Sequence, residues 1–192
     1  TVAGFSTVVG NFDIQNSSGQ ITAGVVTATT LNVGAAGTII TTQVGFGSVG
    51  IGSTQPTAML DVDGHTKFKT YSEAVTSPSI SSNEVTLDLS AAQSFTITAS
   101  DDINAFVLTN PPSGSTSFTV KILQDSTGSR SVGIDTFKNS SGTAIPVYWP
   151  GGVLPIVTPT ADRSDIYSFK TFDGDDITSA GLYGVVGGQN FA

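Results

Sequence analysis

From Glu84 onward, apolar and polar residues alternate with a period of two, the signature of strands with one buried face. Val85, Leu87 and Leu89 fall on one side, with Thr86 and Asp88 on the other. Phe95 and Ile97 repeat the device, as do Phe118, Val120 and Ile122. Further apolar stretches run 104–108, 132–134, 145–148, 166–172 and 183–186. Turn-forming clusters separate them: Asn110-Pro111-Pro112-Ser113-Gly114, residues 125–129, Ser140-Ser141-Gly142 and Asp173-Gly174. Seven or eight short strands so punctuated predict an antiparallel, jelly-roll-like β-sandwich head over residues 84–192. No helix longer than a turn or two is expected.

The pattern before residue 70 differs. GFSTVVGNFDI at 4–14 recurs, with one gap, as GVVTATTLNV at 24–33, and each copy leads to a Gly-x-Ile. Phe12-Asp13-Ile14, Leu31-Asn32-Val33 and Leu60-Asp61-Val62 share an apolar, Asp/Asn, apolar core. A repeat of about 20 residues belongs to fibrous or solenoid units that cannot bury an apolar face alone. So few units need neighbours from other chains, and three chains wound on one axis would hide every strand edge. Residues 1–70 are therefore expected to form an intertwined trimeric β fibre shaft. Its trimerisation residues are Val25, Val26, Leu31, Val33, Ile39, Ile40, Val49, Ile51, Leu60 and Val62. Ser-rich residues 71–83, with Pro78, read as a linker to the head.

Composition strengthens this division. Residues 1–60 carry one charge, Asp13, although the 192-residue chain has a net charge of −8. An uncharged, β-branched segment either aggregates or is buried against copies of itself. Seven basic residues are scattered along the chain, whereas phosphate-backbone binding needs a basic stripe, so nucleic acid is excluded as a partner. No run approaches the ~18 apolar residues of a membrane span, and no membrane insertion is expected. Without cysteine there is no disulfide framework.

Val49-Gly50-Ile51-Gly52-Ser53-Thr54-Gln55-Pro56, followed by Met59-Leu60-Asp61-Val62-Asp63-Gly64, resembles the VGIGTxxPxxxLDVxG motif of tailed-phage fibre shafts. GVVTATTLNV is similar to the GxVTATxL segments of fibre proteins from phages of marine cyanobacteria. The second half looks like a module that ends such proteins. Its matching stretches are TLDLS at 86–90, the turn from Gln124 to Arg130, Trp149-Pro150-Gly151-Gly152, residues 165–169, and Tyr183-Gly184 to Asn190-Phe191. Similar modules carry a tryptophan before the last Tyr-Gly, where Leu182 stands here. The resemblance implies a homotrimeric virion fibre or spike, located on the phage tail or another external appendage. It implies contacts with other virion tail proteins, and a head that attaches to a host cell-surface glycan. The alternatives are a purely structural virion fibre and a polysaccharide-cleaving spike.

Candidate chemistry is sparse. Asp61-x-Asp63-Gly64 lacks the glutamate that closes a calcium loop at its twelfth position, where Ser72 stands. Asp173-Gly174-Asp175-Asp176 reads as a solvated turn. The pairs Asp101-Asp102 and Asp175-Asp176 are adjacent, so on a strand they would point apart instead of flanking a glycosidic bond. His65, the sole histidine, has no nucleophile elbow near it. We therefore expect no catalytic site, cofactor or metal. Tyr148, Trp149, Gly151 and Gly152 form the candidate receptor site, because a Pro-Gly-Gly loop can present aromatic faces rigidly to sugars. Alternatively Trp149 closes the sandwich core, and Tyr167 and Tyr183 read as core or subunit interface.

Overall fold

The computed structural model of the chain describes residues 49–51 and 57–192, which fall into two units divided after Lys67. In the first, β1 (Val49–Ile51) and β2 (Leu60–Val62) pair in parallel, Val49 opposite Leu60 and Ile51 opposite Val62. The Asp63 N–H extends the ladder onto the Ile51 carbonyl at 2.9 Å. Thr57 closes the approach to β2 by donating its backbone N–H to Asp61 at 2.9 Å. Ile51, Met59 and Leu60 are 57%, 78% and 54% exposed, and Val62 is half-buried. The expected trimerisation residues Val25, Val26, Leu31, Val33, Ile39 and Ile40 lie outside the described residues.

The second unit begins with β3 (Val75–Thr76), β4 (Ile80–Ser81), β5 (Glu84–Asp88), β6 (Ser94–Ala99) and β7 (Ala105–Thr109). It continues with β8 (Thr116–Gln124), β9 (Phe137–Asn139), β10 (Ala144–Ile145) and β11 (Val147–Tyr148). A 3-10 turn (Pro150–Gly152), β12 (Ser164–Thr171), the one-turn helix α1 (Ile177–Ala180) and β13 (Leu182–Phe191) complete it. The strands form two sheets, ordered β10-β9-β7-β5-β4 and β11-β13-β12-β8-β6-β3.

All-β architecture with two sheets agrees with the sequence; the antiparallel expectation does not. β5, β7 and β9 run parallel, as do β3, β6 and β8. The chain alternates between sheets, β5 in one, β6 in the other, β7 back in the first. The neighbours β5 and β7, β7 and β9, and β6 and β8 are thus two apart in sequence and point the same way. The crossover that a parallel pair requires is here a strand of the opposite sheet. Only β8, β12 and β13 make a long antiparallel ladder, continuous from Ser164–Leu123 to Thr171–Thr116 between β12 and β8.

The stretch expected as a linker, 71–83, also differs: β3 pairs with β6, and β4 with β5. Ser82 and Asn83, at φ of 53° and 60°, form the two-residue turn between β4 and β5. Two successive left-handed residues match the strand twist of a tight hairpin. Asn83 tolerates that backbone and donates its side-chain amide to the Asp102 carbonyl at 2.9 Å.

Val85, Leu87, Phe95, Ile97, Phe118, Val120 and Ile122 all point inward and are buried, as their alternation predicts. The two sheets share one core, linked by aromatic rings. Phe137 stacks on Phe106 of its own sheet at 5.1 Å and meets Phe169 of the other at 4.9 Å. Buried Gln124 closes the loop after β8, its amide donating to the Arg130 carbonyl and accepting from the Arg130 N–H, both at 3.0 Å.

Candidate functional site

β11 is only two residues long, yet it fixes the candidate site. It pairs in parallel with the start of β13, setting Tyr148 opposite Tyr183. Cross-strand partners share a face, and their rings lie 5.2 Å apart at 37°. Phe172, one residue past β12, meets Tyr183 edge-on at 5.5 Å. Lys170, opposite Tyr183 across the β12–β13 ladder, carries its ammonium 5.3 Å from the Phe172 ring centre. The result is a continuous strip, Tyr148–Tyr183–Phe172, its residues 47%, 47% and 63% exposed. A groove of about 440 Å³ runs beside it, lined by Ser117, Ser168, Lys170, Phe172, Tyr183 and Val185 among others.

Exposed aromatic rings in contact with one another mark a binding surface more than isolated ones do. Their electron-rich faces complement the polarised C–H groups of a sugar ring and attract cations. Lys170 adds a positive charge for a carboxylate, and Ser117 and Ser168 add hydroxyls. Sequence reading misses Tyr183 and Phe172 here. Tyr183 and Val185 alternate like core residues, and the register that sets Tyr183 beside Tyr148 is not legible locally.

Trp149 follows Tyr148 and so points the other way. Its indole meets Tyr167 and Phe169 edge-on at 6.2 and 5.6 Å and lies over Gly184. The ring is half-buried against the core, with Nε1 buried and unpartnered by any described residue. It is therefore Trp149 that closes the sandwich, while Tyr148 faces solvent. Gly151 and Gly152 adopt φ of 67° and 69° in the turn that follows and are exposed. A smaller groove of about 310 Å³ brings Tyr148, Trp149 and Gly152 together with Asp135, Val147 and Leu154.

Several of the carboxylates singled out in the sequence serve backbone donors. Asp102 accepts from the Ser131 N–H at 2.8 Å, and Asp173 from the N–H groups of Asp175 and Asp176 at 3.1 and 3.3 Å. His65 is exposed. Among the described residues no three His, Asp or Glu side chains gather in a way that could hold a metal. No described helix is long and apolar enough to cross a membrane. Compared with protein-family models, curated proteins and solved structures, the chain gives no match.

Proposed function

We propose that the chain is a structural component of a phage virion, a homotrimeric tail fibre or spike whose β-sandwich unit attaches to host-surface glycans. The observation that carries this reading is the β1–β2 pair. Two parallel strands of three residues, with Ile51, Met59 and Leu60 largely exposed, form a sheet too small to persist alone in water. Among the described residues no third strand joins this pair; on this reading other copies of the chain supply its neighbours, and the nearly charge-free composition of residues 1–60 suits close packing about an axis. The resemblance of residues 49–64 to fibre shafts adds the virion. On the host side, the Tyr148–Tyr183–Phe172 strip supplies the stacking surface. Three such heads on one shaft would turn weak single-site binding into firm attachment.

Native mass spectrometry of the full chain tests the assembly. The expected mass is three times 19.6 kDa, falling in a Val26→Lys/Leu31→Lys variant, and a soluble 19.6 kDa monomer overturns the fibre. Whole-cell and glycan-array binding tests attachment. Tyr183→Ser and Phe172→Ala should lose binding with mass and circular dichroism unchanged. Binding indifferent to both substitutions removes the strip from the reading. No cell binding, with virion assembly retained, favours the fibre that contacts only other virion proteins.

A further inference from the structure

The last strand has an open flank. β13 runs ten residues and is bordered along one edge by β12, but β11 covers its other edge only at Leu182 and Tyr183. From Gly184 to Phe191 no other described strand pairs with that second edge. Val185, Val186 and Phe191 are 50%, 43% and 45% exposed there. The loop after the 3-10 turn is held next to the strand by Gln189, whose side-chain amide donates to the Ile156 carbonyl at 2.6 Å. That loop adds Val153 and Ile156, at 72% and 85% exposure.

A strand edge presents alternating N–H and C=O groups along its length. The group that satisfies such a row is another extended backbone, so the complement is a polypeptide strand and not a small ligand. Natural edges are protected from this pairing by lysine, proline, inward charge, bulges or a covering loop. No lysine, proline or charge occurs between Leu182 and Ala192, and the irregular register against β12 falls at Gly187 and at Gln189–Asn190, so Gly184–Val186 is the regular part of the open edge. Charge then selects the strand's owner. The two segments that build this surface, 139–161 and 177–192, contain no Asp, Glu, Lys or Arg in a chain of net charge −8. Two anionic copies repel wherever their acidic faces meet and approach at least cost through a neutral face. A basic partner would find no carboxylate here to pair with.

We propose that a second copy of this chain docks on the β13 edge, extending the sheet beyond Gly184 and covering Val153 and Ile156. The C-terminal unit thereby carries a self-association surface of its own. This deepens the oligomeric reading above but stands on different residues.

Hydrogen exchange read by mass spectrometry on the full chain, beside native mass, tests it. At assembly concentration the amides of 185–191 should exchange at least about tenfold more slowly than after dilution. Val186→Lys should abolish that protection, and Val186→Thr, which suits an exposed strand equally, should keep it. Protection of 185–191 with loss of the mass effect of Val26→Lys/Leu31→Lys would support the edge and overturn the shaft. Exchange of 185–191 that ignores both dilution and Val186→Lys, in a chain that still assembles, overturns the edge and spares the shaft. A monomer under all conditions overturns both. Should Val186→Lys fail to fold, the dilution series on the unaltered chain decides.

Discussion

The Tyr167 hydroxyl donates a 2.9 Å hydrogen bond to the carboxylate of Asp165, two residues earlier on β12, with both side chains buried. Asp165 also accepts the N–H groups of Thr158 at 2.7 Å and Asn190 at 2.8 Å, tying the loop before β12 to the end of β13. Burial alone would raise its pKa, but these donors outweigh burial and hold it below the ordinary carboxylate value. Burial, and then the facing carboxylate, push the Tyr167 phenol well above its usual range.

A carboxyl whose pKa is lower folded than unfolded stabilises the fold above the unfolded value, near pH 4, and that stability is lost as pH falls through the folded value. Urea unfolding should therefore show a stability limb that declines below about pH 4. Asp165→Asn should flatten that limb and cost about 2–4 kcal/mol at pH 7, because an amide cannot accept from every donor. Tyr167→Phe should cost about 1 kcal/mol. An unaltered acid limb in Asp165→Asn would assign the acid sensitivity to other carboxylates.

Gly184 faces the Trp149 ring so closely that an added Cβ would lie 2.7–2.9 Å from three of its carbons. Gly184→Ala must displace the indole, costing about 1–3 kcal/mol. Trp149 is the only tryptophan, so its fluorescence reports the shift directly. Trp149→Leu removes the obstacle, and the double variant should be less destabilised than the sum of the two single ones. Strict additivity would mean that the indole and Gly184 do not touch in solution.

How much of this was legible depended on what alternation encodes. It assigns Val85, Leu87, Phe95, Ile97, Phe118, Val120 and Ile122 to the core, because a strand wet on one face displays its buried set. It says nothing of which strand lies alongside, so Asn110–Gly114 is legible as a turn but not as the crossing from β7 to β8 of the other sheet. Ser82-Asn83 contains no glycine, so the β4–β5 hairpin passed for part of a linker. The inward turn of Trp149 follows by parity once Tyr148 faces out. The strip does not, since it requires the β11–β13 register. Asp165 is equally hidden: a carboxylate on the core face of a strand becomes intelligible only with its donors from loop and β13 in place.

Asp173-Gly174 reads as an ordinary turn signal, yet Gly174 is demanded by close approach of another loop. Its N–H donates to the Gly114 carbonyl at 2.7 Å, and a Cβ would overlap the Pro112 carbonyl oxygen. Backbone cannot swing aside as a side chain can, so Gly174→Ala must part the two loops. In chemical denaturation we expect a loss at least about 2 kcal/mol larger than that of Gly142→Ala, where left-handed strain at φ 85° acts alone and costs about 1–2 kcal/mol. Gly142 has open space around its Cβ position. Equal effects of the two substitutions would show that the Gly174–Gly114 contact does not constrain the chain.

Phe137 is the ring through which the two sheets meet. It contacts Phe106 at 5.1 Å within its own sheet, and Phe169 and Phe118 at 4.9 and 6.2 Å in the other. The strand that carries it is three residues long and offers little backbone pairing of its own. Its hold on β7 therefore depends on this side chain. Phe137→Ala should cost about 3–5 kcal/mol through lost burial and the cavity left behind. Against a domain stability of about 5–15 kcal/mol, that leaves the unit marginal. Phe137→Leu retains much of the apolar volume and should cost markedly less. In denaturant titrations the midpoint should drop with the slope unchanged, since both variants expose the same surface on unfolding. A loss below about 1 kcal/mol for Phe137→Ala would mean that the surrounding rings close over the gap, and that the sheets are joined without it.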